Sequence, residues 1–164
     1  MNTAGKVITG AAIGGSALFA YGYYLSGEAD KLEVEVRTMV HSMDLIKIVV
    51  RLDVKLKNPS RNDFDFRQPF VTLKYNTRTL GTSQASEKVT TFAAGQEKFF
   101  EEPVMITIPL INLLFLGLQV LKDLREGKAG LKASAHVQTY TTILGVYEKE
   151  IERDEEVSIR KQES

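Results

Sequence analysis

A chain of 164 residues with 43% hydrophobic side chains has material for one core-bearing domain of about 130 residues and a terminal appendage. Its 21 Lys and Arg balance 21 Asp and Glu, so no net field draws it to nucleic acid, and no nucleic-acid partner is expected. The absence of cysteine excludes disulfides and thiolate metal sites and leaves the compartment open.

Met1 to Lys6 is a short polar start. From Val7 to Gly27, 21 residues, there is no ionisable acid or base other than tyrosine. As a helix that run would cross about 30 Å of hydrocarbon. Gly10 and Gly14, and likewise Ala11 and Gly15, stand four apart, a spacing that lets membrane helices approach closely. Leu18 and Phe19 lead to Tyr21, Tyr23 and Tyr24, which suit an interfacial aromatic belt. A membrane-inserted helix is the favoured reading. A cleaved signal peptide and a helix or arm packed against protein are the alternatives, although Leu25-Ser26-Gly27 is a poor cleavage site. With Lys6 inside, the domain would lie outside the cytoplasm. The run Gly10 to Gly15 lacks a preceding strand and a following Lys-Ser or Lys-Thr, which argues against a phosphate loop.

Lys31 to Val40 alternates, with Leu32, Val34 and Val36 on one face, and reads as the first strand. Asp44 to Lys57 is the strongest signal in the chain. Ile46, Ile48, Val50, Leu52, Val54 and Leu56 recur at a period of two, while Lys47, Arg51, Asp53, Lys55 and Lys57 fill most of the intervening positions. One face must be covered and the other meets water, as in an antiparallel sheet. The strand should stop at Asn58-Pro59, because proline lacks the ladder donor and restrains the residue before it.

Phe64 to Asn76 is extended, with Phe64, Phe66, Val71, Leu73 and Tyr75 inward and a register shift or bulge at Gln68-Pro69. Asn76 to Gly81 is expected to be a turn, Thr82 to Phe92 a weaker strand, and Glu97 to Pro109 an extended segment with Phe99, Val104, Ile106 and Ile108 contributing. Pro109 to Lys128 predicts one helix, begun by proline and ended by Gly127, with an inward stripe of Leu110, Leu113, Leu114, Gly117, Leu121 and Leu124. Ile111, Phe115, Leu118 and Val120 widen the apolar arc to nearly the whole circumference, so this helix either closes one end of a sandwich or presents an apolar face to a membrane or partner. Ala129 to Thr141 alternates through Leu131, Ala133, Ala135, Val137 and Thr139. After Gly145-Val146 a final strand runs from Tyr147 to Ile159 with a charged outer face.

No catalytic or cofactor constellation is recognisable. His41 falls in a connection and His136 points outward from a strand, and neither has metal-ligand spacing. Glu101-Glu102 and Asp154-Glu155-Glu156 are solubilising charge runs, since neighbouring strand residues point to opposite faces. No cofactor and no enzymatic activity are expected.

The order of elements resembles the type 2 late embryogenesis abundant (LEA) family, with its water-stress/hypersensitive-response domain. The resemblance rests on Leu56-Lys57-Asn58-Pro59-Ser60, then Phe64-Asp65-Phe66, Leu80-Gly81, Ile106-Thr107-Ile108-Pro109 and the apolar helix ending at Gly127. It covers residues 31 to 160. It implies an immunoglobulin- or fibronectin-like antiparallel β-sandwich with one helix near an end, preceded here by the N-terminal hydrophobic helix. It also implies association with desiccation or osmotic stress, and a turn-forming role for Asn58 and Pro59. Residues 1 to 30 would then be a membrane anchor or assembly arm, 31 to 160 the sandwich and 161 to 164 a tail.

The leading functional expectation is a non-enzymatic, membrane-tethered structural or interaction protein of the membrane or cell envelope. Its partners would be membrane lipid or a membrane-associated protein, and its partner face Ile111, Phe115 and Leu118. The rival is a structural component of a bacterial-virus particle, in which the arm threads into neighbouring subunits of the virion or a homo-oligomer.

Overall fold

Five side chains of β2 (Lys47–Lys57), Ile48, Val50, Leu52, Val54 and Leu56, are buried, and the residues between them are partly exposed. Each such burial stabilises by about 1.5–3 kcal/mol relative to exposure. Ile46 does not join them. It is 76% exposed, because the Asp44 carboxylate accepts hydrogen bonds from the backbone N–H groups of Ile46 (2.7 Å) and Lys47 (2.9 Å) and turns the chain before the strand begins.

The computed structural model describes residues 18–161. They form a mainly β protein with two antiparallel sheets and a few short helices. In the first sheet, β2 pairs on one edge with β1 (Glu33–Met43) and on the other with β7 (Glu97–Phe99) and β8 (Val104–Pro109). His41 lies within β1, at a register shift between Val40 and Ser42, and not in a connection.

The second sheet is organised by β9 (Leu131–Ile143), which pairs along its whole length with β10 (Tyr147–Ile159). Its other edge takes β3 (Phe64–Arg67) and β4 (Phe70–Tyr75) end to end. Phe66 faces Thr141 and Phe70 faces Gln138, so four steps along one strand match three along the other. This is the one-residue shift expected at Gln68-Pro69. Beyond them, β6 (Val89–Phe92) pairs with β3 and β5 (Arg78–Thr82) pairs with β4.

The expected turn Asn76–Gly81 is therefore shorter. Asn76 takes the left-handed conformation (φ 52°) and the chain re-enters the sheet at Arg78. The expected strand from Thr82 to Phe92 survives mainly as β6. At Phe99-Phe100 the facing is opposite to expectation. Phe100 is buried, with its N–H donating to the Val54 carbonyl, whereas the Phe99 ring lies outside against the Arg37 guanidinium, 5.1 Å from the ring centre.

Both sheets contribute to one buried cluster. Val40 donates its N–H to the Arg160 carbonyl (3.0 Å), which ties β1 to β10. On the opposite flank β5 approaches β8 at Gly81. A Cβ there would fall 2.8 Å from Ile106 Cγ2 and 2.9 Å from the Thr107 carbonyl oxygen, so only glycine fits without displacing the strand.

The single helix expected from Pro109 is instead a 3₁₀ helix, Leu110–Leu116, followed by α2, Leu118–Arg125. Gly117 divides them at φ 85°, a conformation that ends one helix and admits the next. The phase break upsets the expected stripe. Leu113 and Leu124 are buried, but Leu114 is 54% exposed.

The N-terminal reading also needs correction. Residues 18–29 form a helix, α1. At about 1.5 Å per residue these 12 described residues account for roughly 18 Å of helix. Among the described residues no helix is long and apolar enough to cross a membrane. Leu25 and Ala29 of α1 are part of the core cluster. Gly10, Ala11, Gly14 and Gly15 lie outside the described residues.

The outer face of the first sheet carries a cross-strand ion network. On β2, Lys55 sits between Glu35 of β1 and Glu97 of β7, at 2.7 Å from the latter. Hydrogen bonding to Lys55 holds the Glu35 and Glu97 carboxyls below the ordinary carboxylate range, and those two carboxylates hold Lys55 above its usual value. A carboxylate with a depressed folded pKa stabilises above its unfolded value and loses that contribution as pH falls through the folded one. The lysine term is present below the ordinary lysine pKa and is lost as pH rises through the raised one. Urea midpoints should therefore fall between pH 7 and pH 3, and Lys55→Met should shrink that difference. An unchanged difference would remove the network as its cause.

Candidate functional site

The two ends of the molecule differ from its flanks. The β1–β2 turn, the 3₁₀ helix and α2 meet at one end, where the Leu110 N–H donates to the Ile46 carbonyl (2.8 Å). Leu45, Ile111 and Leu118 are each 73–79% exposed there, beside Ile46 and Leu114. Asp44, Lys122 and Arg125 stand beside Leu45, Leu110 and Leu121 there, which gives the apolar centre a charged border of both signs.

The three residues expected to face a partner are thus all at this end, but they are not equivalent. Ile111 and Leu118 are open. Phe115 is partly covered, its ring centre 5.4 Å from that of Tyr75 and 4.7 Å from the Arg78 guanidinium carbon. Leu45 and Ile46 complete the surface and fall outside the sequence expectation. Two adjacent aliphatic residues following Asp44, where a hairpin turn is normally polar, were the available signal.

The second apolar end lies one strand length away, about 40 Å along β9 and β10. The β9–β10 turn carries Leu144 at φ 55° and Gly145 at φ 71°, with Val146 87% exposed. It packs beside the start of α1, and together they line a cleft of about 520 Å³ formed by Leu18, Phe19 and Tyr23 on the helix and Leu144, Val146 and Tyr147 on the hairpin. Of the arm residues singled out in the sequence, Leu18, Phe19, Tyr21, Tyr23 and Tyr24 are all exposed, and the Tyr21 and Tyr24 rings stack at 6.3 Å.

Asn58 and Pro59 belong to neither end. Asn58 is fully buried, and its side-chain NH₂ donates to the carbonyls of Asn62 (2.7 Å), Phe92 (3.1 Å) and Ala93 (3.2 Å). Its side-chain oxygen accepts from the Ser60 N–H (3.1 Å) and hydroxyl (2.7 Å). The amide thereby organises the loop after β2 and clamps it to the end of β6. Pro59 stands two residues past the last residue of β2; the Asn58 N–H still donates to the Gln96 carbonyl (2.9 Å), and Pro59 has no N–H to carry the ladder further.

His136 faces outward from β9, with Nδ1 2.7 Å from Asp154 Oδ1 and Nε2 3.8 Å from Glu152 across the β9–β10 pair. Among the described residues, no group of three or more His, Cys, Asp or Glu is arranged to hold a metal ion. The acidic residues of β10 pair instead with neighbours on the same face, such as Glu150 with Gln138 (3.0 Å) and Tyr140 (2.9 Å). That contact, together with burial, raises the Tyr140 phenol above its usual range.

No protein-family model matches the chain, and a search of curated proteins finds no significant match. Among solved structures, it is similar to a protein from Archaeoglobus fulgidus at 12% identity and TM-score 0.47, covering 82% of this chain and 100% of that one. It is similar to a protein from Arabidopsis thaliana at 12% identity and TM-score 0.46, covering 77% of each chain. A solution structure described as a late embryogenesis abundant (LEA) protein aligns at 16% identity and TM-score 0.34, covering 94% of this chain and 87% of that one. The likeness of this chain to an LEA protein is thus distant and broad in coverage.

Proposed function

We propose that the protein is a non-enzymatic interaction module, a distant LEA-like β-sandwich of immunoglobulin or fibronectin type, that binds a partner protein through the end formed by the β1–β2 turn, the 3₁₀ helix and α2. The observation that carries this reading is that Leu45, Ile46, Ile111, Leu114 and Leu118 are all exposed on three segments brought to the same end, where the Leu110 N–H meets the Ile46 carbonyl and Leu45 lines one cleft with Leu110 and Leu121. Large apolar side chains gathered this way cost solubility unless something covers them. The flanks are different in kind, laced with ion pairs such as Lys57–Glu33 (3.1 Å) and Lys149–Asp30 (2.9 Å). An apolar centre bordered by the charged side chains of Asp44, Lys122 and Arg125 fits a partner surface with an apolar middle and a polar rim.

A photoreactive residue placed at Leu45 in the full chain, in its native cells, is expected to crosslink to a distinct protein. The same residue at Thr91, on the far side, is expected not to. The double change Ile111→Asp and Leu118→Asp should abolish the Leu45 crosslink while altering stability by no more than about 0.5 kcal/mol per site, since both residues are exposed. Equal crosslinking from Leu45 and Thr91, or a crosslink indifferent to the double change, would remove the surface from consideration. A crosslink between two copies of the chain would identify a homo-oligomer in place of a distinct partner.

A further inference from the structure

The opposite end of the molecule carries a surface that goes beyond the proposed partner binding. The hairpin turn is not loosely placed beside α1. A Cβ on Gly22 would lie 3.3 Å from the Leu144 Cδ1, so the absence of a side chain at Gly22 lets the turn seat closely on the helix. The cleft lining contains no acid or base, and its exposed members are aliphatic or aromatic: Leu18, Phe19, Tyr23, Leu144, Val146 and Tyr147. The nearest charges are already paired. Lys149 meets Asp30 at 2.9 Å, and Glu148 is bridged to Arg67.

We propose that this end seats in the interfacial zone of a lipid bilayer without crossing it. Phe19 and Val146 enter beneath the headgroups, and Tyr23 and Tyr147 lie at headgroup level. Two features favour lipid over protein as the occupant. The sequence that leads into the surface, residues 7–17, contains no Asp, Glu, Lys, Arg or His, so the stretch immediately preceding Leu18 adds no charge that a bilayer would exclude. Two of the three aromatic residues lining the cleft are exposed tyrosines, Tyr23 and Tyr147, the side chains that suit an interface with one wet and one apolar side. The β9–β10 turn thus supplies a second apolar point of contact beside α1. Two contacts fix the orientation of the body on the surface, where a single flexible attachment would leave it free to swing.

The full chain is tested by flotation with neutral phosphatidylcholine vesicles. Wild type is expected to float with the vesicles. Val146→Asp, at a fully accessible turn position, is expected to lower the partition by about tenfold, because a carboxylate is excluded from the apolar layer. Because the chain has no tryptophan, Val146→Trp provides a unique fluorophore whose emission should shift to the blue on adding vesicles. Failure of the wild type to float would overturn the proposal. Flotation of Val146→Asp equal to wild type, with an unshifted emission from the Val146→Trp variant, would overturn the role of the hairpin. Vesicle-independent dimerisation that disappears in Val146→Asp would make a second copy the occupant and overturn it as well. Since Leu45, Ile111 and Leu118 are left intact, the crosslinking result at the other end is independent of each of these outcomes.

Discussion

Asn58→Asp is expected to destabilise the fold by roughly 3–5 kcal/mol at neutral pH, since each buried group left without its partner costs about 1–3 kcal/mol. The substitution is nearly isosteric, so packing is not the cause. In the native loop the amide NH₂ faces three backbone carbonyl oxygens, those of Asn62, Phe92 and Ala93. A carboxylate has no hydrogen to offer them and would place a negative charge among three acceptors in a fully buried position. Protonation restores one donor. The folded state therefore raises the pKa of the introduced acid, and the penalty, fully present above that raised value, is relieved as the pH falls below the unfolded one. Denaturant unfolding of Asn58→Asp and Asn58→Ala at pH 7 and pH 4 reads this directly, with the gap between the two variants narrowing on acidification. A pH-independent gap would mean that the amide does not hold the loop by donating.

The second large effect is expected at Phe66, which is completely buried in β3. Its ring centre lies 5.8 Å from that of Phe92, edge to face, and 6.0 Å from that of Phe64. Phe92 in turn contacts Phe100 at 5.0 Å, so one ring removed from this aromatic row leaves a cavity lined by rings attached to separate strands. Phe66→Ala should cost about 3–5 kcal/mol, a large part of the 5–15 kcal/mol typical of a whole domain. The comparison that isolates burial as the reason is Phe99→Ala. Phe99 belongs to the same residue type, but it is 38% exposed and lies against Arg37 and Lys55 on the outside. Its truncation is expected to cost only a minor fraction of the Phe66 value in thermal or urea unfolding, and equal costs would contradict the core assignment.

The aromatic pair at Phe99-Phe100 also marks where periodicity stops being informative. In β2, five repeats of an apolar residue against a mostly charged one leave a single way to face the strand. β7 is only three residues long, followed closely by Glu101, Glu102 and Pro103, and two adjacent phenylalanines offer both facings equally. What selects Phe100 is the hydrogen bond of its N–H to Val54, a contact made across the sheet. Ile46 fails for a related reason. It continues the period of β2, yet the Asp44 carboxylate captures two backbone donors and makes a turn of the position. The apolar run after Pro109 satisfies helical periodicity over its whole length. Gly117, which that pattern tolerates, takes a positive φ and splits the run into a 3₁₀ and an α-helix, and Leu114 and Leu118 on either side of it are left exposed.

Neither apolar end could be assembled from the sequence, because each joins segments far apart in the chain. Leu45 meets the Leu110–Leu121 region only because β2 pairs with β8, and Val146 meets Phe19 only because β9 and β10 carry their turn back to the start of α1. The expected partner residues Ile111 and Leu118 were legible as an excess of apolar surface on one stretch. The cover that Tyr75 and Arg78 lay over Phe115 was not.

By itself, the order of side chains determined the β character of the chain, the inward residues of the long strands, the stop at Asn58-Pro59 and the register shift at Gln68-Pro69. Each of these follows from local geometry: the alternation of strand side chains, the missing N–H of proline, the polarity of a turn. Only the tertiary structure decided which strands are neighbours, that the helical run is broken in two, that α1 sends Leu25 and Ala29 into the core, and which apolar residues are left uncovered together. Those outcomes depend on hydrogen bonds and close approaches between residues distant in sequence, and no local pattern records them.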